Sequence, residues 1–223
     1  MNSDRPLVAC IFDMDGVLID SEPIVKQCGQ QAASELGAVL TDELFNDLIG
    51  LPSHEVQSGL RNAFGENFPM DTFRTLLEQR WHEFVKENGI PVKPGVIQLL
   101  DYFESANIPF AIATSTPHER ARLALTVAGL IDRFDEIVGG DQVTNGKPAG
   151  DIFEAAASRI SSTPHSCLAI EDSKVGAHAA VAASMYTMMV PDQKPPDEET
   201  RAIVQAVYPS LVDAFDPITE LMI

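Results

Sequence analysis

The stretch that decides the fold reads LVACIFDMDGV and runs from Leu7 to Val17. Its apolar first half predicts a buried strand, and its second half places Asp13 and Asp15 one residue apart. Side chains at such positions in an extended segment point to the same side, so both carboxylates would enter one small volume. Neighbouring like charges disfavour their own ionisation unless a cation or hydrogen-bond donors compensate. Because Gly16 permits a sharp turn, the pattern predicts a metal-assisted acid/base site at the carboxyl end of a strand.

Composition limits the choice of function classes. The chain has 223 residues, of which 45% are hydrophobic, and this suits one large domain or a domain that carries an insertion. A net charge of −18 argues against nucleic acid and anionic membranes as partners. The three cysteines lack metal-ligand spacing, and their odd number argues against a disulfide framework.

The apolar pattern also bears on location. No apolar stretch approaches the roughly 18 residues that would cross a bilayer, and no cationic, apolar leader opens the sequence. We therefore expect a cytoplasmic monomer that binds neither membranes nor nucleic acid.

Short apolar runs alternate with helical patterns along most of the chain. Four runs predict strands, and Glu136–Val138 is a weaker fifth; the four are Leu7–Phe12, Phe110–Ala113, Cys167–Ile170 and Thr187–Val190. Helices are predicted between the later runs, at Gly95–Ser105, Pro117–Ala128, Asp151–Ile160 and Val175–Ala183. Continuous apolar strands separated by helices indicate an α/β fold with a mostly parallel sheet.

The gap between the first two predicted strands contains helical patterns and no convincing strand. Helices are expected near Glu22–Leu36, Asp42–Ile49, Ser53–Phe64 and Asp71–Asn88. Because one crossover needs far less chain than this, we predict a small helical domain at residues 21–91, inserted into a catalytic core formed by residues 1–20 and 92–223.

Polar side chains follow several predicted strands, where ligands bind in open α/β sheets. The second strand is followed by Thr114-Ser115-Thr116, and another by Glu171-Asp172-Ser173. Lys147 precedes a predicted helix, where a cation needs an anionic partner because the helix dipole opposes it.

Each of these residues also has an ordinary structural interpretation. Thr116 could serve only as the N-cap of a helix that has Pro117 at N1 and Glu119 at N3, although the neighbouring hydroxyls favour anion binding at that N-terminus. Lys147 could be a solvated surface residue. Glu171 and Asp172 could cap a helix or bind a metal.

Together, these residue types suit phosphoryl transfer. A carboxylate approaches a phosphate only with cations and donors between them, and Mg²⁺ prefers a few oxygen ligands. Asp13 could attack phosphorus and form an aspartyl-phosphate. Asp15 could protonate the leaving alcohol and then deprotonate water, while Thr114 and Lys147 hold the transferring group.

The motifs resemble the haloacid dehalogenase-like superfamily, in its branch of capped phosphatases and β-phosphoglucomutases. The resemblance rests on four motifs in order: Asp13-Met14-Asp15-Gly16-Val17, Ala113-Thr114-Ser115, Lys147-Pro148 with Asp151-Ile152-Phe153, and Glu171-Asp172-Ser173 with Gly176. It implies a Rossmann-like core with a mobile helical cap, similar to sugar-phosphate phosphatases and pseudouridine-5′-phosphatases.

The resemblance also implies roles for single residues. Asp13 would be the nucleophile and Asp15 the general acid/base. Thr114 and Lys147 would contact the phosphoryl group, with Ser115 and Thr116 beside them. Mg²⁺ would be bound by Asp13, the Asp15 carbonyl and Asp172, and Glu171 would support these ligands. Substrate choice is expected in the cap, where Gly50, His54, Glu22 and Arg80 are candidate contacts, although His54 could be a surface or capping residue and Arg80 a solvated helix residue.

Three functions remain to be compared. Hydrolysis of a small phosphorylated metabolite, a sugar phosphate or a nucleoside monophosphate, is the leading hypothesis. A sugar phosphomutase is the second, but the cap histidine that mutases carry twelve residues after the nucleophile corresponds here to Val25. The third is a non-catalytic module that binds phosphometabolites, although every catalytic carboxylate is present. The metal-free dehalogenases lack the second aspartate, so Asp15 argues against that branch.

Overall fold

The computed structural model describes residues 6–49, 51 and 53–222. The described backbone divides into two compact units. One unit consists of the residues up to Asp20 together with those from Pro91 onward, and the other is Ser21–Ile90.

The first unit is built around a parallel sheet. The described residues form six strands: β1 Ala9–Phe12, β2 Phe110–Ala113, β3 Ile137–Val138, β4 Cys167–Glu171, β5 Tyr186–Met189 and β6 Ala206–Val207. All five pairings are parallel, and the order across the sheet is β3-β2-β1-β4-β5-β6. The prediction of an α/β fold with a mostly parallel sheet is confirmed.

Ten α-helices are present in the described part of the chain. They are α1 Glu22–Glu35, α2 Asp42–Leu48, α3 Ser53–Phe64, α4 Met70–Asn88, α5 Val96–Ser105, α6 His118–Val127, α7 Asp151–Arg159, α8 Lys174–Ala182, α9 Glu198–Ile203 and α10 Leu211–Leu221. The sequence predicted the first eight to within a few residues. It missed β6, α9 and α10, which follow the last predicted strand.

Both faces of the sheet are covered. On one face, residues of β1, β2 and β4 pack with α7 and α8 in an apolar cluster that includes Ile11, Ile152 and Phe153. On the other face, Phe12 lies 5.9 Å from Phe103 of α5, measured between ring centroids, within a group of aromatic side chains. This double coverage explains why the strands are apolar without alternation.

The register of the sheet decides which side chains meet at its carboxyl edge. Phe12 at the end of β1 lies opposite Ile112 of β2 and Ile170 of β4. The chain order changes direction between β1 and β4, and such a switch point opens a crevice for ligands. The residues that follow these three strands therefore converge in one place.

The second unit contains α1 to α4. Its apolar core includes Ala32, Leu40, Leu60, Met70 and Phe73. Thr41 begins α2 as its N-cap, because its hydroxyl accepts a hydrogen bond of 3.1 Å from the backbone N–H of Leu44. No described helix is both long and apolar enough to cross a bilayer.

The two chain segments that flank the helical insertion are hydrogen-bonded to each other. Ile19 forms an antiparallel bridge with Val92. The Asp20 N–H donates to the Pro91 carbonyl at 2.9 Å, and the Lys93 N–H donates to the Leu18 carbonyl at 3.0 Å. The outgoing and returning segments are thus joined beside the sheet.

Candidate active site

Asp13 lies at the centre of the carboxyl edge of the sheet. It directly follows β1, and its backbone N–H donates to the Ile170 carbonyl at 2.9 Å. The side chain is buried and forms an ion pair with the Nζ atom of Lys147. The backbone bond and the ion pair together hold this carboxylate between the ends of two neighbouring strands.

Lys147 connects the two strand ends that carry carboxylates. Its Nζ atom also lies 2.6 Å from Oε1 of Glu171 and 5.0 Å from the ring centroid of Phe153. Only 5% of its side chain is exposed, so the interpretation as a solvated surface lysine is wrong. The helix that follows, α7, begins at Asp151 as predicted. Lys147 lies in the loop that precedes this helix.

Burial and charge set the protonation of this pair. The pKa of Asp13 is raised to about 8, because burial, together with the nearby carboxylates of Glu171 and Asp15, outweighs the lowering effect of the Lys147 ammonium. Burial alone would lower the pKa of Lys147, but Asp13 and Glu171 raise it well above its usual value. Lys147 therefore remains charged, and Asp13 needs every available cation to stay ionised.

Glu171 is fixed by bonds to both carboxylate oxygens. Its Oε2 atom accepts hydrogen bonds from the Asp172 N–H at 3.0 Å, the Ser173 N–H at 3.1 Å and the Ser173 hydroxyl at 3.1 Å. A side chain at Gly176 would overlap this carboxylate. The alternative that Glu171 or Asp172 caps the next helix is wrong, because Ser173 is the N-cap of α8. The bonding favours a supporting role for Glu171.

Three carboxylates converge where a cation could bind. One oxygen each from Asp13, Glu171 and Asp172 lie within 4.8 Å of one another. A Cβ at Gly16 would overlap the Asp172 carboxylate, so this approach depends on glycine. An all-oxygen donor set beside a buried, anionic cluster fits a hard divalent cation such as Mg²⁺.

Asp15 belongs to a different part of the site. Its carboxylate accepts a hydrogen bond of 2.9 Å from the Thr116 hydroxyl and, among the described residues, is not part of the convergent carboxylate group. Its backbone carbonyl stays a predicted metal ligand. The two aspartates therefore lie at the same edge, where Asp13 pairs with Lys147 and the Asp15 carboxylate accepts from the Thr116 hydroxyl.

The loop Thr114–Pro117, called here the hydroxyl loop, follows β2. Thr114 is buried, and its hydroxyl accepts from the Thr116 N–H at 3.1 Å, whereas Ser115 is exposed. The predicted capping box is wrong: the N-cap of α6 is Pro117, which offers no capping side chain. Thr116 lies outside the helix because its hydroxyl binds Asp15 instead.

Two residues near the site were missed by the sequence reasoning. Lys93 donates to Asp192 at 2.5 Å, and a Cβ at Gly16 would lie 3.3 Å from Asp192. Asp192 thus adds negative charge beside Asp172, and Lys93 compensates for it. No local signal identifies this pair, because its members are 99 residues apart in the chain.

The predicted substrate contacts of the helical unit are less well defined. Gly50 lies outside the described residues, as does the side chain of His54, whose backbone belongs to α3. Glu22 is the first residue of α1. Arg80 on α4 donates to Glu35 at 2.8 Å and to Glu83 at 2.7 Å. Its guanidinium is therefore already paired within the unit, and its contact with substrate stays a prediction.

The Rossmann-like sheet and the buried Asp13–Lys147 pair at its carboxyl edge are typical of hydrolases that use an aspartate as nucleophile. Comparison with known proteins agrees, since the family model described as haloacid dehalogenase-like hydrolase matches residues 10–190. The chain belongs to the haloacid dehalogenase-like hydrolase family.

Individual relatives extend this comparison. A protein named phosphorylated carbohydrates phosphatase from Thermotoga maritima is 35% identical over 79% of this chain and 82% of its own length. A probable pseudouridine-5′-phosphatase from Drosophila melanogaster is 31% identical over 94% of this chain and 92% of its own. The crystal structure of a putative β-phosphoglucomutase from Thermotoga maritima superposes with a TM-score of 0.78, at 29% identity, covering 96% of this chain and 99% of that one.

These comparisons confirm the predicted family and the Rossmann-like fold. They also confirm the enzyme class, a phosphoric monoester hydrolase of the haloacid dehalogenase-like type.

Proposed function

We propose that this protein is a Mg²⁺-dependent phosphatase that hydrolyses small phosphorylated metabolites through an aspartyl-phosphate intermediate on Asp13. The observation that carries the proposal is the buried Asp13 carboxylate, ion-paired with Lys147 at the switch point of the sheet. Two further carboxylates, Glu171 and Asp172, lie beside this pair, and titratable groups perturbed in such a cluster are typical of active sites.

Each residue of the site has a defined task in this reaction. Asp13 attacks phosphorus and the bond to the substrate oxygen breaks. Asp15 donates a proton to the leaving alcohol and then accepts one from the water that hydrolyses the acyl-phosphate. Lys147 offsets the negative charge that Asp13 and the phosphoryl oxygens bring together, and Thr114 offers a hydroxyl to the same group.

The metal would be held by the carboxylates of Asp13 and Asp172, with Glu171 supporting both and the Asp15 carbonyl as a further candidate ligand. When bound, the cation supplies positive charge that lets an anionic nucleophile approach an anionic phosphate. The protein's own contribution is to fix the direction of these oxygens through Ser173, Gly176 and Lys147.

The direct test is hydrolysis of an aryl phosphate by the purified full chain with and without Mg²⁺. We expect phosphate release that requires Mg²⁺ and that falls by about a thousandfold or more in Asp13→Asn, since the amide is not a nucleophile. Asp132→Asn, an exposed change of the same kind, is the matched control. An Asp13→Asn protein with wild-type turnover would rule out the proposed intermediate.

Hydrolysis and phosphomutation are separated by their products. Relatives of both kinds exist, because the structure from Thermotoga maritima carries the name of a putative mutase and curated relatives are named phosphatases. Val25 at the position of the mutase histidine favours hydrolysis. Release of inorganic phosphate without a bisphosphate activator supports the phosphatase, whereas an isomerised sugar phosphate that appears only with that activator supports the mutase.

The proposed substrate class is supported by the names of two relatives, a phosphorylated carbohydrates phosphatase and a probable pseudouridine-5′-phosphatase. We propose that the helical unit acts as a cap that selects among such substrates. The helical unit has an apolar core of its own. This supports the proposal that the cap moves independently. A panel of sugar phosphates and nucleoside monophosphates, assayed with wild type, Glu22→Gln and Arg80→Ala, tests the assignment. If both variants keep the substrate preferences of wild type, Glu22 and Arg80 do not determine substrate specificity.

A cytoplasmic location and a monomeric state stay predictions. Size-exclusion chromatography with light scattering measures the latter directly.

A further inference from the structure

The segment Gly139–Gln142, called here the 139–142 segment, packs on the backbone of the hydroxyl loop. It follows β3 and contains a short 3₁₀ helix, Gly140–Gln142. The Gly140 N–H donates to the Thr116 carbonyl at 3.1 Å. A Cβ at Gly140 would overlap the Ser115 carbonyl, and one at Gly139 would overlap the backbone N–H of His118. Such close packing of two backbones is possible only because both residues are glycines.

Asp141 of this segment takes over a task that α6 does not perform for itself. Pro117, the N-cap of α6, has no side chain that could accept a hydrogen bond. The Asp141 carboxylate accepts a hydrogen bond of 2.7 Å from the backbone N–H of His118, the first residue of the helix. A carboxylate at this end also interacts favourably with the helix dipole. The helix is thus capped by a residue 23 positions away in the chain.

The 139–142 segment is itself held in place from α7. The Gln142 side-chain oxygen accepts from the Gly139 N–H at 3.1 Å and from Arg159 Nη2 at 3.2 Å. Arg159 also donates to the Ile137 carbonyl at 2.9 Å. The segment is therefore a bonded support and not a free turn.

What this support holds is the part of the hydroxyl loop that reaches the site. The Thr114 N–H donates to the Val138 carbonyl at 3.0 Å. Thr116, whose carbonyl is held by Gly140, donates its hydroxyl to the Asp15 carboxylate. A displacement of the 139–142 segment would therefore move Thr116 relative to Asp15, and with Thr116 the backbone N–H that donates to the Thr114 hydroxyl.

We propose that the 139–142 segment positions the hydroxyl loop for phosphoryl transfer, and that Asp141 is its main positioning residue. The link to turnover rests on the proposed phosphatase function. Asp141 itself touches no reacting atom. It acts through the first turn of α6, which fixes the direction in which the loop leaves β2.

The test compares Asp141→Ala, Asp141→Asn and the control Asp132→Ala in the full-length protein. Asp132→Ala removes an exposed carboxylate and so matches the change in net charge. Two quantities are measured: hydrogen exchange of the His118 and Gly140 amides by NMR, and kcat and KM for an aryl phosphate with Mg²⁺.

In Asp141→Ala we expect the His118 amide to exchange about tenfold faster. We also expect kcat to fall about tenfold with KM changed less than about twofold, since misplaced groups cost more in the transition state than in binding. Asp141→Asn keeps an oxygen acceptor and should restore both values to within about threefold of wild type. A residue that acted only through charge would show the same loss in the Asn variant.

The result separates two failures. If wild type hydrolyses no phosphate ester, the proposed function fails, and amide exchange still decides whether Asp141 holds the loop. If wild type is active and Asp141→Ala changes neither the exchange nor kcat, the positioning role is overturned while the proposed function stands.

Discussion

Two clusters in this protein have the same composition and opposite surroundings. In each, one lysine lies between an aspartate and a glutamate: Lys147 pairs with Asp13 and Glu171, and Lys174 pairs with Asp197 and Glu199. The first cluster is buried, with 5% of the lysine side chain exposed. The second lies on the surface between α8 and α9, with 48% exposed.

The two clusters contain the same types of contact, so the difference between them lies in burial. Burial decides how strongly the charges of an ion pair depend on each other. Water screens the surface cluster, so its members would be nearly as well solvated apart. In the buried cluster each charge depends on the others, because no water replaces a lost partner. The energy of each charge in the buried cluster therefore changes when a cation or a phosphate is added nearby. Electrostatic catalysis requires a site with this property.

The largest effect is expected for Lys147→Met. Removing the ammonium leaves two buried carboxylates without their cation, and breaking such a cluster costs about 3 kcal/mol or more of unfolding free energy. Activity should be lost as well. Urea unfolding at neutral pH with a chelator present measures the stability, and Lys174→Met is the matched control. Equal stability of the two variants would contradict the comparison.

The next effect is expected for Gly176→Ala. The added methyl group would overlap the Glu171 carboxylate, and overpacking of this kind costs about 1–3 kcal/mol. Gly146→Ala is the control, because an added Cβ there meets no atom within 4 Å. Thermal unfolding of both variants measures the difference. A Gly176→Ala protein as stable as its control would show that Glu171 is not held as tightly as its bonds indicate.

Added Mg²⁺ should stabilise the protein through the buried cluster and not through the surface cluster. This comparison leaves Lys147 unchanged. If the ion binds the folded state through Asp13 and Asp172, stability should rise by about 2.7 kcal/mol at a concentration of one hundred times Kd. We expect the rise in Lys174→Met and not in Asp172→Asn, measured as the shift of the unfolding midpoint. A rise of equal size in Asp172→Asn would place the ion elsewhere.

The smallest effect is expected for Lys174→Met, and its size depends on pH. Hydrogen bonds from Lys174 lower the pKa values of Asp197 and Glu199 in the folded protein. Groups with lowered pKa values stabilise the fold above the ordinary carboxyl pKa, and this contribution disappears as pH falls through the folded values. Wild type should therefore exceed the variant slightly near pH 7, and the midpoints should converge in acid. A difference that grows on acidification would contradict this assignment.

The parallel sheet was readable from sequence because its strands are continuous apolar runs, a direct consequence of coverage on both faces. The missed elements lack that signal. β6 consists of two half-buried residues at the edge of the sheet, and α10 contains Pro217, which in a sequence usually marks a helix end.

The site residues that could be predicted from the sequence are those at the ends of strands. Asp13 and Thr114 come directly after a strand, and Glu171 is the last residue of β4, so the register of the sheet brings them together. The alternative that Thr116 caps α6 was wrong: the N-cap is Pro117, and the Thr116 hydroxyl donates to Asp15, a partner 101 residues away. Asp141 and Lys93 were missed for the same reason, since their contacts depend on tertiary structure alone.

The paired segments at the boundary of the helical unit have a consequence for protein engineering. The outgoing and returning chains are already held together by bonds between Leu18–Asp20 and Pro91–Lys93. These bonds belong to the sheet unit, and they offset the entropic cost of closing the inserted segment. Any segment whose two ends lie side by side could be grafted between them without altering the register of β1. Whole insertions could therefore be exchanged at this junction, and with them the substrate selection that we propose for the helical unit, while the sheet unit stays the same.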